Sequence, residues 1–473
     1  MRAPTTSPIR AASTRAKAEG RARPVYRADT IVACATPAGR GAIAIVRLSG
    51  PDCRRIGERI FRAARQGVLQ GWRMRRGTIV ASAPIDDALA VFFPAPRTYT
   101  GEDMLELHCH GSPIVVERVI QAAIAAGARA ADGGEFSRRA VLNGRMDLLQ
   151  AEAVADLIEA RMSAGAHAAW EQLQGALSQR LLGLRSRLVA VLADVEAHVD
   201  FSDDELPDES WPARRRALTH VCEEIEQMLD GFAAARRQRE GLRVVVTGRP
   251  NAGKSSIINR LLGSERMIVT DEPGTTRDVV EESLDFDGLA FVLADTAGLR
   301  VSDSAAETLA VARARQVLAR ADIVVYVIDA SVALTAEDIE QVGSLAAGKL
   351  VIVMNKQDLG GPLQDLPFAV DVVVATSART GSGCQDLAAE LRRLGASLVE
   401  TQPAGISRLR HRAALERAFR HLRDASDAMA SEAGTEIAVI ELRAALHQIG
   451  TLTDVLDNEE ILDRIFADFC IGK

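Results

Sequence analysis

The sequence predicts a multidomain α/β protein: an N-terminal α+β domain, then a helical domain interrupted by an inserted α/β domain. Three observations carry this. Residues 28–120 hold short strand-like runs separated by turn signals. Apolar residues recur at threes and fours through 148–162 and 181–199, and helical periodicity returns at 409–430 and 436–450. Between these helical blocks, strands and helices alternate from Leu242 to about residue 396, the signature of a parallel sheet.

In the first block, Ile43–Arg47, Leu89–Phe93 and Met104–His110 read as strands. Gly111-Ser-Pro113 ends the last of them, and 114–126 carries a helical apolar stripe. The acidic, proline-containing stretch 200–209 links two long helices. Leu242-Arg-Val-Val-Val-Thr247 opens the alternating unit, and the tail 459–469 is again helical. Insertion explains helices on both sides of a complete α/β unit most economically, because domain termini often lie close together. The expected divisions are an extension 1–28 without order, a domain 29–144, helical parts 145–240 and 404–473, and an inserted domain 241–397.

Composition bounds the function. The chain has 473 residues, 47% hydrophobic and 26% charged, as in ordinary globular proteins. Net charge is −7, and the first 27 residues carry seven basic residues and one acidic, leaving −13 for the rest. So acidic a body is a poor generic nucleic-acid binder and needs a local patch or a partner for RNA. Six cysteines stand without paired spacing, which predicts free thiols in a reducing compartment. No apolar run is long enough for a membrane span. The Arg-rich start lacks an apolar signal stretch; a transit peptide and a start without order both fit it. Only five of the 57 basic residues are Lys (17, 254, 349, 356 and 473), so each remaining Lys invites a chemical explanation.

Gly248-Arg-Pro-Asn-Ala-Gly-Lys-Ser255 follows a strand and opens a helix. That is the context of a phosphate loop, whose amides wrap phosphates at a helix N-terminus. Lys254 is expected at the β- and γ-phosphates and Ser255 on Mg2+, with Asn251, Ala252, Gly253 and Ser256 around them. Asp295, Thr296, Ala297 and Gly298 follow the apolar run 291–294, placing a carboxylate near the metal and an amide near the γ-phosphate. Asn355, Lys356, Gln357 and Asp358 follow the strand 350–354. An Asp there accepts hydrogen bonds from guanine N1 and N2, which adenine cannot supply, so GTP is selected over ATP. Ser377, Ala378 and Arg379 fit the last guanine loop. Between the phosphate loop and Asp295 lies Thr270, Asp271, Glu272, Pro273, Gly274, Thr275, Thr276 and Arg277. Thr276 is the expected second Mg2+ hydroxyl; Thr275 and Arg277 are equally explained by a solvated turn. Together these motifs define the inserted unit as a Ras-like P-loop G domain.

Leu299 stands where many GTPases carry a water-orienting Gln. Another group must therefore orient the water, and Glu307 is the candidate. Asn251 can help bind a monovalent cation beside the phosphates, and potassium there would stabilise developing charge. A helix-start Asn and a first-turn helix Glu remain the plainer readings of those two residues.

Several blocks then converge. Thr36-Pro-Ala-Gly-Arg-Gly41 with Arg47, Tyr99-Thr-Gly-Glu-Asp103, Leu142-Asn-Gly-Arg-Met-Asp147, the nucleotide motifs and the terminal Phe469-Cys-Ile-Gly-Lys473 resemble the TrmE (MnmE) family of tRNA-modification GTPases across residues 29–473. The resemblance implies a cytoplasmic homodimer whose N-terminal domain binds tetrahydrofolate and dimerises. It implies an FAD-binding partner, MnmG, in a heterotetramer or larger complex that acts on tRNA. The implied reaction adds a carboxymethylaminomethyl or aminomethyl group to the 5-position of the wobble uridine. Its carbon comes from a 5,10-methylene or 5-formyl tetrahydrofolate, with glycine or ammonium, and GTP drives it. The resemblance places potassium ligands at Asn251 and at the backbone of Thr270, Glu272 and Thr275. It puts the water-orienting carboxylate at Glu307 and further catalytic groups at Arg277 and Cys470. Folate contacts fall on Arg47, Glu106, Arg145 and Lys473. Two positions depart from the family pattern: Arg145, where Lys is common, and Glu272-Pro273, where smaller apolar residues are common.

The chemistry of those folate residues is reasonable. A carboxylate such as Glu106 can read a pterin donor edge, and cationic side chains suit an anionic glutamate tail. Arg47 as a surface strand residue and Arg145 as a helix-start charge are the plainer readings. Cys470 also has prenylation spacing, but Gly472 and Lys473 argue against it. His108, Cys109 and His110 cannot share one metal on a strand, since Cys109 points to the opposite face. The competing functions are a regulatory or ribosome-assembly GTPase switch and a folate enzyme regulated by GTP. A bare switch needs neither residues 29–145 nor the Cys-Ile-Gly-Lys end.

Overall fold

A computed structural model of the chain describes residues 29–65, 69–160, 162–200, 210–264, 266–267, 281–286, 289–295, 317–345, 349–361, 366–367, 370–399, 405–430 and 434–453, and residues 462, 465–466, 469 and 472 of the tail. They fall into two units, one from 29–140 with the described residues of 458–473, the other from 141–457.

The first unit is a seven-stranded sheet backed by helices. Its elements are β1 (Ile31–Cys34), β2 (Gly41–Ser49), α1 (Cys53–Ile60), β3 (Phe61–Ala63), β4 (Arg75–Val80), β5 (Pro84–Phe93), β6 (Met104–Gly111), α2 (Pro113–Ala125), β7 (Arg129–Ala130) and α3 (Glu135–Leu142). The strand order is β3-β4-β5-β6-β2-β1-β7, antiparallel except for the pair β1 and β7. Along β2 Ala44, Val46 and Leu48 turn inward, and Ile43, Ile45 and Arg47, which alternate with them, do not. They pack with Leu105, Leu107 and Cys109 of β6 against α1 and α2. Pro113 begins α2, where its missing N–H costs nothing.

One ion-pair cluster ties the unit's ends together. Arg139 of α3 is buried and donates to Asp29 Oδ1 at 2.6 Å, Glu135 Oε1 at 2.9 Å and Glu102 Oε2 at 3.2 Å. The described tail residues pack here too. Phe466 and Phe469 lie against Gly133 and Gly134, and Gly472 lies against the Cys34 carbonyl. The sequence reading kept 404–473 together and cut the chain at 144; the structure divides it at 140 and again within 404–473. The physical reason is that aromatic tail residues find their burial on the first unit's Gly-Gly turn.

The second unit begins with α4 (Leu148–Glu159), α5 (Ser163–Leu173), α6 (Ala176–Asp200), α7 (Ser210–Asp230) and α8 (Phe232–Glu240). The apolar stripe read as 148–162 is the one helix α4, which stops three residues earlier: the chain leaves helical geometry at Ala160, and a new helix starts at Ser163. Asp147 caps α4 in a reciprocal box with Gln150. There follow β8 (Leu242–Thr247), α9 (Lys254–Ser264), β9 (Arg266–Met267), β10 (Glu281–Phe286), β11 (Leu289–Asp295), β12 (Ile323–Asp329), α10 (Ala336–Gly343), β13 (Lys349–Asn355), β14 (Val372–Ala375), α11 (Cys384–Leu398), α12 (Leu409–Ala428) and α13 (Thr435–Thr453). The strands order as β14-β13-β12-β8-β11-β10-β9, parallel from β14 to β11. One apolar core holds Leu149, Leu188, Val221 and Phe232 from before the sheet and Ile406, Leu415, Leu442 and Leu452 from after it. Residues from both sides of the sheet segment thus share one helical core. Among the described residues no helix is long and apolar enough to cross a membrane.

A buried polar cluster sits inside that helical core. Glu152 of α4 accepts from Arg410 Nε at 2.6 Å and lies 2.7 Å from His411 Nε2. Burial pushes Glu152 upward, but the hydrogen bond from His411 and the Arg410 guanidinium outweigh it and hold the carboxyl below its usual range. Burial lowers His411. The imidazole is therefore neutral and donates from Nε2, while Nδ1 has no partner among the described residues. Unfolded, His411 takes up a proton near pH 6.5, whereas folded it resists. Its stabilising share is present above that value and is lost as pH falls toward the depressed folded pKa. Below about pH 6.5, the wild-type stability curve is expected to fall more steeply than that of His411→Gln, by at most about 1.4 kcal/mol per pH unit. Urea melts from pH 7 to 5 measure it, and parallel curves would contradict it.

Candidate functional site

β8 lies between β11 and β12 with Val244, Val245 and Val246 buried, so its C-terminal end is rigidly placed. The phosphate loop starts there. Gly248 has φ +134, and a side chain on it would strike the Val327 carbonyl. Gly253 has φ +97, and a side chain there would strike the Asn355 amide. Asn251 also adopts the left-handed region, at φ 62, and lies ahead of α9 rather than on it. The plainer reading of Asn251 as a helix-start residue therefore does not hold. Ala252 is buried. Lys254 opens α9 and turns back over the loop, its Nζ donating to the Gly248 carbonyl at 3.0 Å and the Arg249 carbonyl at 2.8 Å. Ser255 and Ser256 follow in the first turn.

The guanine loops meet this loop through one side chain. Asn355, buried at the end of β13, donates from Nδ2 to the Ala252 carbonyl at 2.9 Å. Its Oδ1 accepts from the Ala378 amide at 3.0 Å and the Thr376 hydroxyl at 3.4 Å. Lys356 takes φ 68, and its Nζ pairs with Asp329 Oδ2 at 2.5 Å. Gln357 begins a short 3-10 turn, and its amide donates to the Thr376 carbonyl at 3.1 Å. Ser377 Oγ donates to Asp358 Oδ1 at 2.6 Å, and Arg379 Nε lies 2.9 Å from Oδ2. The Ser377 hydroxyl, helped by Arg379, holds the Asp358 carboxyl below its ordinary value, so it is ionised and acceptor-only at neutral pH. Asp295 ends β11 in register with Val246, one strand from the phosphate loop.

Thr270, Asp271, Glu272, Pro273, Gly274, Thr275, Thr276, Arg277, Thr296, Ala297, Gly298, Glu307, Cys470 and Lys473 lie outside the described residues. Asp329 was missed in the sequence. It ends the apolar run Ile323–Ile328 as Asp295 ends its own run, and that was the available signal.

In the first unit, β2 and β6 pair so that Arg47 faces Glu106 across the ladder. Arg47 Nε donates to Glu106 Oε1 at 2.9 Å. The guanidinium stands 5.7 Å from the Tyr99 ring centre and 5.9 Å from that of Phe136. The Tyr99 hydroxyl lies 2.7 Å from Ser137 Oγ. His108 Nε2 is 3.4 Å from Glu106, whereas Cys109 is buried on the opposite face and His110 Nδ1 pairs with Asp86 at 2.8 Å. Phe136 and Ser137 carried no sequence signal, being 30 or more residues from the residues they join. Arg145 lies in the turn ahead of α4, in the second unit.

A parallel sheet with a glycine phosphate loop after β8 and an Asn-Lys-Gln-Asp loop after β13 defines a P-loop guanine-nucleotide-binding protein. Residues 148–470 match the family model for the MnmE helical domain, and 30–145 match that for the GTP-binding protein TrmE N-terminus. The chain belongs to the MnmE (TrmE) family. It is 41% identical to the tRNA modification GTPase MnmE of Heliobacterium modesticaldum over 94% of this chain and 99% of that one. It is 42% identical to that of Symbiobacterium thermophilum over the same shares, and 41% identical to that of Geobacter sulfurreducens over 95% and 100%.

Proposed function

We propose that this chain is a potassium-dependent GTPase of tRNA modification that works with an MnmG-type FAD protein on the 5-position of the wobble uridine. Family membership across 94% of the chain supports the GTPase and the tRNA reaction. The observation that carries the reading is Asn355, whose amide holds the phosphate loop and the last guanine loop together. Residues 241–397 are then a Ras-like G domain inserted into a helical domain, as the shared core on both sides of it favours.

The donor chemistry fits the ions. Ser255 beside Lys254 and Asp295 at the neighbouring strand end are hard oxygen donors suited to Mg2+, with Thr276 completing them. Asn251 is held in the loop with its side chain free of helix-capping duty, which suits a monovalent cation, shared with the backbone of Thr270, Glu272 and Thr275. Bound there, potassium supplies positive charge to the γ-phosphate as it departs. Lys254 does the same from inside the loop, and Glu307 orients the water that Leu299 cannot. Turnover in KCl should exceed that in NaCl by about tenfold or more. Equal rates would remove the cation from this account.

Arg47, Glu106, Tyr99 and Phe136 form a charged pair beside two rings, which suits a planar, hydrogen-bonding pterin. We assign the folate carbon donor to this face of the first unit, with Lys473 and the Cys470 thiol as further contacts. Dimerisation, the MnmG complex and a cytoplasmic location complete the reading. Cells lacking the protein should show wobble uridines without the 5-substituent by mass spectrometry of tRNA nucleosides. An unaltered nucleoside profile would favour the switch reading instead.

A further inference from the structure

The chain leaves the helical core through α8 and enters the sheet two residues later, with Gly241 between them at φ 85. The C-terminal half of α8 is bonded in two directions. Toward the sheet, Arg237 Nε donates to Asp322 Oδ1 at 2.8 Å, and Arg236 Nη2 lies 3.7 Å from the same oxygen. Asp322 is buried, and its Oδ2 accepts the Arg243 amide at 3.0 Å. Its main chain also bonds Arg243, the second residue of β8, and Lys349, the first of β13. Asp322 directly precedes β12, whose far end, Asp329, holds Lys356 of the guanine loop. The adjacent strand, β8, ends at the phosphate loop.

Toward the helical core, Arg239 Nη1 lies 3.8 Å from Asp156 Oδ1, and the Gln238 carbonyl presses on Gly165 so closely that no side chain fits there. Asp156 also accepts from Arg408 Nη2 at 2.6 Å, where the chain comes back from the sheet. One turn earlier on α4, Glu152 takes Arg410 and His411. Both crossings of the chain, outward and returning, are therefore tied to two buried carboxylates of one helix.

We propose that the C-terminal half of α8 couples the nucleotide loops to the helical core, with Asp322 and Asp156 as positioning residues on its two sides. Strands inside a close-packed sheet do not stretch, so a shift at their loop ends is delivered at their origins. The clamp on Asp322 passes it to α8, and Asp156 passes it to α4, the helix that begins just after Arg145. This rests on the reading that GTP drives a rearrangement, and adds its route. An ordinary stabilising ion pair would not respond to the nucleotide.

The test is amide exchange on the full-length protein, loaded with GDP or with GDP and aluminium fluoride. In wild type, α4 exchange should differ by about threefold between the two states. Arg237→Met should erase that difference while GTP turnover stays within about twofold of wild type. Arg237→Lys, which keeps the charge, should restore it, and Asp156→Asn should erase it from the side of the helical core. The proposal is overturned by wild-type α4 exchange that ignores the nucleotide, or by a difference that survives both Arg237→Met and Asp156→Asn. No tRNA enters this experiment, so its outcome is separate from that of the wobble-uridine reading.

Discussion

Asp358→Asn is expected to lower turnover at limiting GTP by about a hundredfold to a thousandfold and to make xanthosine triphosphate the better substrate. The carboxylate is fixed by Ser377 on one oxygen and Arg379 on the other, so its plane is set before a base arrives. Ionised, both oxygens only accept, and guanine presents donors at N1 and N2. An Asn puts an NH2 where one acceptor stood, facing a donor, and both donors are left unpaired. Xanthine carries an oxygen where guanine carries the N2 amine, so the same change favours it. Competition between the two nucleotides measures this, and an unchanged preference would mean that Asp358 does not read the base.

Lys254→Ala should cut GTP turnover by about a thousandfold. The ammonium is nearly buried and rests on the carbonyls of Gly248 and Arg249, so it is stored within the loop that receives the phosphates. Ala removes the charge and leaves both carbonyls without that donor. Lys254→Arg should recover little, because the planar fork needs more width than a single ammonium between two carbonyls. This sequence writes Arg at 52 of its 57 basic positions, yet has Lys here and at Lys356. Lys356 has its own reason, a compact charge on Asp329 from a left-handed backbone. Alanine-variant turnover within tenfold of wild type would remove Lys254 from the catalytic account.

The nucleotide loops were legible because each is a short run with its own geometry at the end of a strand. Gly248, Gly253 and Asp358 need no distant information to be recognised. The joints between loops were not legible: Asn355 reaches Ala252 across 103 residues, and nothing in either tetrapeptide announces the other. Arg47 and Glu106 were brought to one site only through resemblance, since 59 residues separate them in the chain although they face each other across the ladder. The break at Ala160 escaped because the apolar spacing continues through it, and spacing alone does not report a change of direction. The tail was assigned by its helical pattern, which cannot say which unit buries Phe466 and Phe469. The α4 carboxylates that hold the two crossings left no trace in the sequence, because Glu152 and Asp156 look like the solvated face of an amphipathic helix.

The central claim is that this guanine-nucleotide site drives modification of the tRNA wobble uridine. The most direct measurement is nucleoside mass spectrometry of tRNA from cells lacking the chromosomal gene and carrying either wild-type or Lys254→Ala protein at matched levels. The account predicts 5-substituted wobble uridine with the wild-type protein and its near-complete loss with Lys254→Ala. Equal modification in the two strains would contradict it.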